Sequence, residues 1–235
     1  MSFQKIIVKF ALAAKTCTKS PTMLNRDELL EEYIEGHIDP EPELLRELYR
    51  HTQLHRLYPR MCAGHYQGRL LKMFTAMINP RRILEIGTFT GYSTLAMASA
   101  LTGEARIDTV EVDDEHQSEL QEWFDRSPYS HRITLHVGDA LDILPSLSGP
   151  YEMVLIDANK RFYQQYLEAV LPLVPKGGFI LADNTLWDMK VVETEECSDA
   201  QTRAIMDFND ALAADNRFEK VILPVRDGLT IIRRI

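Results

Sequence analysis

The sequence has little of what marks a specialised class of protein. Its 235 residues include three cysteines, Cys17, Cys62 and Cys197. That odd number, in neither metal-ligand nor redox spacing, argues against a disulfide scaffold and suits a reducing compartment such as the cytoplasm. No apolar run approaches the roughly 20 residues that span a bilayer. The stretch Phe3 to Ala14 is broken by Lys9, which leaves too short an apolar core for a signal peptide. Positive charge is scarce as well: 26 basic side chains face 35 acidic ones, a formal net charge of -9. No broad cationic surface for a phosphate backbone is implied, although a local basic groove remains compatible. There is no internal repeat and no low-complexity segment. What is present, 45% hydrophobic and 26% charged residues, is the make-up of an ordinary globular protein.

Residues 1–22 read as a weakly specified extension and residues 23–235 as one domain. Asn25 can cap a helix carrying Leu29, Leu30, Tyr33 and Ile34, a second spans Pro40 to Leu48, and Gly68 to Ile78 is a third. After Pro80, short apolar runs alternate with amphipathic stretches, the pattern of βαβ units and a parallel sheet. Strands are expected at Arg82 to Ile86, Ile107 to Val112, Ile133 to Val137, Met153 to Asp157 and Phe179 to Asp183. Helices are expected at Ser93 to Leu101, Asp114 to Phe124, Ala140 to Leu144, Phe162 to Leu171 and Ala200 to Ala214. Two last strands, Lys220 to Val225 and Leu229 to Arg233, flank Asp227-Gly228, a dipeptide suited to a tight hairpin. The fold class is therefore α/β: a seven-stranded, Rossmann-like, mostly parallel sheet with a C-terminal antiparallel hairpin and an N-terminal helical layer.

In such a sheet ligands bind beyond the carboxyl ends of the strands. The first strand runs into Glu85-Ile86-Gly87-Thr88-Phe89-Thr90-Gly91-Tyr92-Ser93, where Gly87 and Gly91 permit a tight turn and Ser93 can open a helix. A plain βα turn would look similar. Glu111, with Asp113 behind it, stands where an acid accepts ribose hydroxyls, although an acidic first turn of the next helix explains Asp113 equally well. The loop lacks the G-x-G-x-x-G pattern that cradles a pyrophosphate, and the acid at Glu85 suits a ligand without phosphates. Asp157, Asp183 and Asn184 close the fourth and fifth strands, an all-oxygen set suited to magnesium, calcium or manganese. Lys160 follows Asp157 by three residues; partly desolvated beside a cation, its ammonium would be disfavoured, making it a candidate general base, with a solvated lysine at a helix start as the plainer alternative.

These residues resemble the cation-dependent class I O-methyltransferases, the caffeoyl-CoA and catechol O-methyltransferase group. The resemblance lies in Leu84 to Ser93, in Val154-Leu155-Ile156-Asp157-Ala158-Asn159-Lys160, in Ala182-Asp183-Asn184-Thr185-Leu186-Trp187, and in Leu223-Pro224-Val225-Arg226-Asp227-Gly228-Leu229. It implies bound S-adenosylmethionine, with Glu85, Gly87, Thr88 and Ser93 on the methionine side, Glu111 at the ribose and Asp139-Ala140 beside the adenine. Tyr92, Met61 and Ala63 belong to the same implied cofactor-binding set. Asp157, Asp183 and Asn184 would hold the cation, Asp157 would also lie beside the cofactor, and Lys160 with Asp157 would be catalytic. Asn159, Gln67-Gly68-Arg69 and Asp188 depart from the family pattern near the acceptor, so the acceptor does not carry over. The resemblance also implies a homodimer, and an acceptor pocket walled by the N-terminal helices and Thr185 to Asp199.

The expected activity is cation-dependent methyl transfer to a catechol-like or other small phenolic hydroxyl. The alternative is a tRNA 5-hydroxyuridine O-methyltransferase, for which Arg81, Arg82, Lys160 and Arg161 would share one rim.

Overall fold

The structure, a computed structural model, describes residues 26–192 and 199–235. The expectations for the extension 1–22 and for Cys17 and Cys197 lie outside those residues. Two compact units divide between Asp39 and Pro40. The smaller contributes α1, Arg26–Glu35.

The larger unit opens with α2, Glu43–His55, and α3, Gly64–Ile78. Both are longer than their apolar stripes. Along α2 the buried positions are Leu45, Leu48 and Thr52, the last satisfied by donating Oγ1–H to Leu48 O at 2.8 Å. The first turn of α3 buries Gln67 and Gly68 instead of apolar side chains, so hydrophobic spacing registers the helix only from there on.

Then come β1 Arg82–Ile86, α4 Tyr92–Ala98, β2 Arg106–Glu111, α5 Gln117–Asp125, β3 Ile133–Val137, α6 Ala140–Ile143, β4 Met153–Ile156, α7 Tyr163–Val170, β5 Phe179–Asp183, α8 Ala200–Ala214, β6 Phe218–Leu223 and β7 Leu229–Arg234. The strands lie side by side in the order β3-β2-β1-β4-β5-β7-β6. The first five are parallel and β7 is antiparallel to both neighbours. The C-terminal strands are joined by residues 224–228, because Leu223 pairs with Leu229. The tight hairpin expected between strands ending at Val225 and starting at Leu229 is thus a five-residue loop, in which Arg226 and Gly228 both take positive φ.

The central strands are apolar on both faces, as parallel strands must be when helices cover both sides. Leu84 and Ile86 of β1, Val154 and Ile156 of β4, and Ile180 and Ala182 of β5 meet α7 and α8. The alternate residues Ile83, Met153, Leu155 and Leu181 meet Leu71 of α3 and Met97 of α4. Each fully buried aliphatic side chain contributes roughly 1.5–3 kcal/mol. Glu85 is the exception on β1, a carboxyl with no exposed surface.

Candidate functional site

The order of strands reverses between β1 and β4, which leaves a crevice beyond their carboxyl ends. The chain leaves β1 through Gly87, whose φ is 101°. A Cβ at this position would stand 1.9 Å from the carbonyl oxygen of Asp157, so only glycine lets the loops after β1 and β4 approach so closely.

Glu85 lies beneath this loop. It accepts hydrogen bonds from Ser93 Oγ at 2.6 Å and Thr109 Oγ1 at 2.6 Å, and from the Thr94 hydroxyl. Burial pushes its carboxyl up to about 7, with a smaller contribution from the like charge of Asp157, while the hydroxyl donors pull the other way. Glu85 therefore braces the loop from below, and Ser93 faces Glu85. Thr88 is buried too, sharing a 2.6 Å hydrogen bond with Thr109. Tyr92 buries its ring between helices, 2.6 Å from where a Cβ on Gly68 would stand, and donates its hydroxyl to Glu41.

At the end of β2, Glu111 accepts Phe89 N–H at 2.6 Å and Asp113 N–H at 3.0 Å. One acid thus ties the glycine loop to the next turn. Asp113 caps that turn by accepting Glu115 N–H at 3.0 Å, the structural role that the sequence left open for it. Asp139 caps α6 in the same way, accepting Leu141 N–H at 2.8 Å, and Ala140 is buried behind it. Met61 is exposed and Ala63 immediately precedes α3.

Asp157, Asp183 and Lys160 converge where β4 and β5 end. Lys160 Nζ donates to Asp157 Oδ1 at 2.8 Å and to Tyr163 Oη at 2.7 Å. Burial alone would push the lysine down. The carboxylate of Asp157, with Asp183 behind it, more than reverses that effect and holds the ammonium well above its ordinary value. The expectation that the ammonium is disfavoured applies to a lysine beside a bound cation, whose charge would offset these carboxylates. Asp183 is buried, and burial together with the like charge of Asp157 pushes its carboxyl up to about 7, against the pull of Lys160.

The two acids and the Asn184 amide fit a hard divalent cation in donor type. A cation would also relieve the repulsion that raises Asp183. Among the described residues no three His, Cys, Asp or Glu side chains gather as a metal-binding group; Asn184 follows Asp183 directly, with its backbone N–H on Asp183 Oδ1 at 2.8 Å. It takes a left-handed φ of 58° directly after β5.

Three residues of the site were not singled out as such by the sequence. Tyr163 is fully buried, and its hydroxyl bridges the ends of β4 and β5 by hydrogen bonding Ile156 O at 3.2 Å and Asp183 O at 2.9 Å. Its three-residue spacing from Lys160 was the available signal. Gln67, noted only as a departure, donates its amide to Asp183 Oδ2. Arg226, from the β6–β7 loop, reaches Gln67 Oε1 at 2.8 Å.

Trp187, Asp188 and Met189 have φ of 48°, 54° and 62°. This left-handed run is tethered by Leu186 N–H and Trp187 N–H to Asp227 O at 2.7 and 3.1 Å. Part of the expected acceptor wall, residues 193–198, lies outside the described residues.

The basic rim is not assembled. Arg81 and Arg82 precede and start β1, whereas Lys160 and Arg161 follow the end of the parallel, neighbouring β4. A five-residue strand, roughly 16 Å long, separates the two pairs. Arg82 is further committed to Asp108 and Tyr151, at 2.8 and 2.7 Å. Among the described residues no helix is long and apolar enough to cross a membrane.

Comparison with known proteins shows that residues 35–235 match a family described as O-methyltransferase. Caffeoyl-CoA O-methyltransferase 5 of Nicotiana tabacum is 34% identical over 229 residues, which cover 91% of this chain and 94% of the relative. Caffeoyl-CoA O-methyltransferase 1 of Arabidopsis thaliana is also 34% identical, over 91% of this chain and 87% of its own. Among solved structures, the O-methyltransferase TomG of Streptomyces achromogenes, involved in tomaymycin synthesis and solved with S-adenosylmethionine, superposes with a TM-score of 0.83. It is 28% identical and covers 90% of this chain and 99% of its own. The S-adenosylhomocysteine-bound methyltransferase PaMTH1 of Podospora anserina also has a TM-score of 0.83, at 27% identity over 92% of this chain and 99% of its own.

Proposed function

Because this chain belongs to the O-methyltransferase family and is an S-adenosylmethionine-dependent enzyme of that family, we propose that it methylates a hydroxyl of a catechol-like or other small phenolic acceptor with the help of a divalent cation. The observation that carries this reading is the meeting of Asp157, Asp183 and Lys160 at adjacent strand ends, beside the glycine loop of β1. Caffeoyl-CoA, the acceptor in the names of the plant relatives, contains a vicinal aromatic diol. Two adjacent oxygens are what a hard cation chelates.

When bound, S-adenosylmethionine supplies an activated methyl group and the cation lowers the pKa of an acceptor hydroxyl and stabilises its oxyanion. The chain's own residues do the rest. Gly87 keeps the loop close enough for its backbone to line the cofactor, and Glu111 takes the ribose hydroxyls with capacity left beyond its two backbone donors. Asp157, Asp183 and Asn184 would hold the cation. Lys160 Nζ, aimed by Tyr163 and Asp157, would receive or relay the acceptor's proton once a cation on Asp157 and Asp183 offsets the carboxylate charge that otherwise holds it as an ammonium. Positioning of the acceptor oxygen in line with the methyl group supplies much of the rate.

The test is methyl transfer from labelled S-adenosylmethionine to caffeoyl-CoA and to free caffeate, with EDTA, with added Mg2+, and with Lys160→Ala. Label should appear on a catechol acceptor, vanish with EDTA, return with Mg2+, and fall about 10²- to 10⁴-fold in Lys160→Ala. Full activity in EDTA would remove the cation from the mechanism. The tRNA reading draws no support from the separated basic residues or from the relatives' names.

A further inference from the structure

We propose that Gln67 and Arg226 are positioning residues for the cation-binding carboxylate of Asp183, with Gln67 serving as a neutral spacer between the two charges. The inference rests on the cation reading above and concerns a contact chain from the hairpin loop to β5. Arg226 Nη1 donates to Gln67 Oε1 at 2.8 Å, to Cys62 O at 3.4 Å and to Ala63 O. Gln67, only 6% exposed, donates Nε2–H to Asp183 Oδ2.

The chemistry of the three groups sets the direction of the chain. A guanidinium only donates and an ionised carboxylate only accepts, so the amide between them must turn its oxygen to Arg226 and its nitrogen to Asp183. Arg226 holds the amide in that orientation and anchors it to the backbone just before α3. It does so from a left-handed conformation, φ 49°, a local strain of the kind that persists where surrounding contacts enforce it.

A neutral spacer matters because of what a direct contact would do. Arg226 placed on Asp183 would neutralise the carboxylate and compete with a cation for its oxygens. Through the amide, the arginine fixes the carboxylate's position while its charge stays one side chain away. The other oxygen, Oδ1, accepts Asn184 N–H at 2.8 Å. Each oxygen thus takes one uncharged donor and keeps acceptor capacity for a metal, with the carboxylate plane locked.

The experiment measures Mn2+ affinity directly, from the spin-resonance signal of free Mn2+, on the full-length chain without acceptor. Wild type is compared with Gln67→Leu, Arg226→Ala, Arg226→Lys and the Gln67→Leu/Arg226→Ala double variant. Binding of S-adenosylhomocysteine and thermal unfolding are followed in parallel. Outer-shell partners are worth about 10- to 100-fold in metal affinity, so both Gln67→Leu and Arg226→Ala should weaken Mn2+ binding within that range. The double variant should be no weaker than Gln67→Leu alone, since the two act in series. Arg226→Lys, which can still donate to Gln67 Oε1, should recover part of the loss. If wild type binds Mn2+ and the folded variants bind it equally well, with only their thermal stability lowered, the inference is overturned while the cation reading stands. Failure of the wild-type chain to bind Mn2+ overturns both.

Discussion

Glu85→Gln offers a quantitative test of the core beneath the glycine loop. Burial raises the Glu85 carboxyl from the ordinary 4.5 to about 7. Between those pH values the folded chain keeps the proton and the unfolded chain releases it. The native state then binds more protons, so stability falls as pH rises through that window and levels off above about pH 7. At about 1.36 kcal/mol per pH unit, the loss is on the order of 3 kcal/mol. Asp183 is raised to about 7 as well, so the wild-type profile combines both acids. The difference between wild type and Glu85→Gln isolates one of them. The amide keeps the shape of the side chain, and the Ser93, Thr94 and Thr109 hydroxyls can rotate to accept from its nitrogen. Urea unfolding at half-unit steps from pH 5 to pH 8, which covers most of that window, should show the variant gaining on wild type by about 2.5 kcal/mol. Parallel profiles would refute the argument, because they would mean that Glu85 titrates alike in the folded and unfolded chain.

Gly87→Ala should destabilise the fold by about 2–6 kcal/mol, combining a strained φ with the backbone clash at Asp157 O. Gly103→Ala, where φ is 53° and nothing lies within 4 Å, should cost only about 1–2 kcal/mol by the same denaturation assay. Tyr163→Phe removes the hydroxyl shared by Lys160, Ile156 O and Asp183 O. Its stability should drop by about 1–3 kcal/mol, and steady-state kinetics should show kcat falling more than KM changes. Asp108→Ala would strip the acceptor shared by Arg82, Tyr151 and His136. A loss of about 2–3 kcal/mol in chemical denaturation is expected, and an unchanged midpoint would show that the network contributes nothing.

The elements most legible in the sequence were those with one strong local cause. β1, β3, β5 and α8 begin and end where expected, because apolar runs or a capping residue such as Asp199 delimit them. Asp199 accepts the N–H groups of Gln201 and Thr202 at the start of α8. α2 and α3 were less legible, since Thr52, Gln67 and Gly68 are buried without being apolar. The hairpin length was misjudged for a related reason. Asp227-Gly228 is a turn signal, but the tethering of Leu186 and Trp187 to Asp227 and the reach of Arg226 to α3 require a longer loop.

The positions of the strands along the chain, the glycine loop and the oxygen donors after β4 and β5 were determined by the sequence alone, because each depends on residues that are neighbours along the chain. The order β3-β2-β1-β4-β5-β7-β6 came only with the fold. The partners of Lys160, the bracing role of Glu85, the distance between the Arg81–Arg82 and Lys160–Arg161 pairs and the contact of Arg226 with Gln67 were decided by tertiary structure. Charge and hydrogen bonding depend on which groups share a buried space, and linear spacing does not record that. Lys160 is the clearest case: its position was readable three residues after Asp157, while its partners, the Asp157 carboxylate at 2.8 Å and the Tyr163 hydroxyl at 2.7 Å, were decided by the fold.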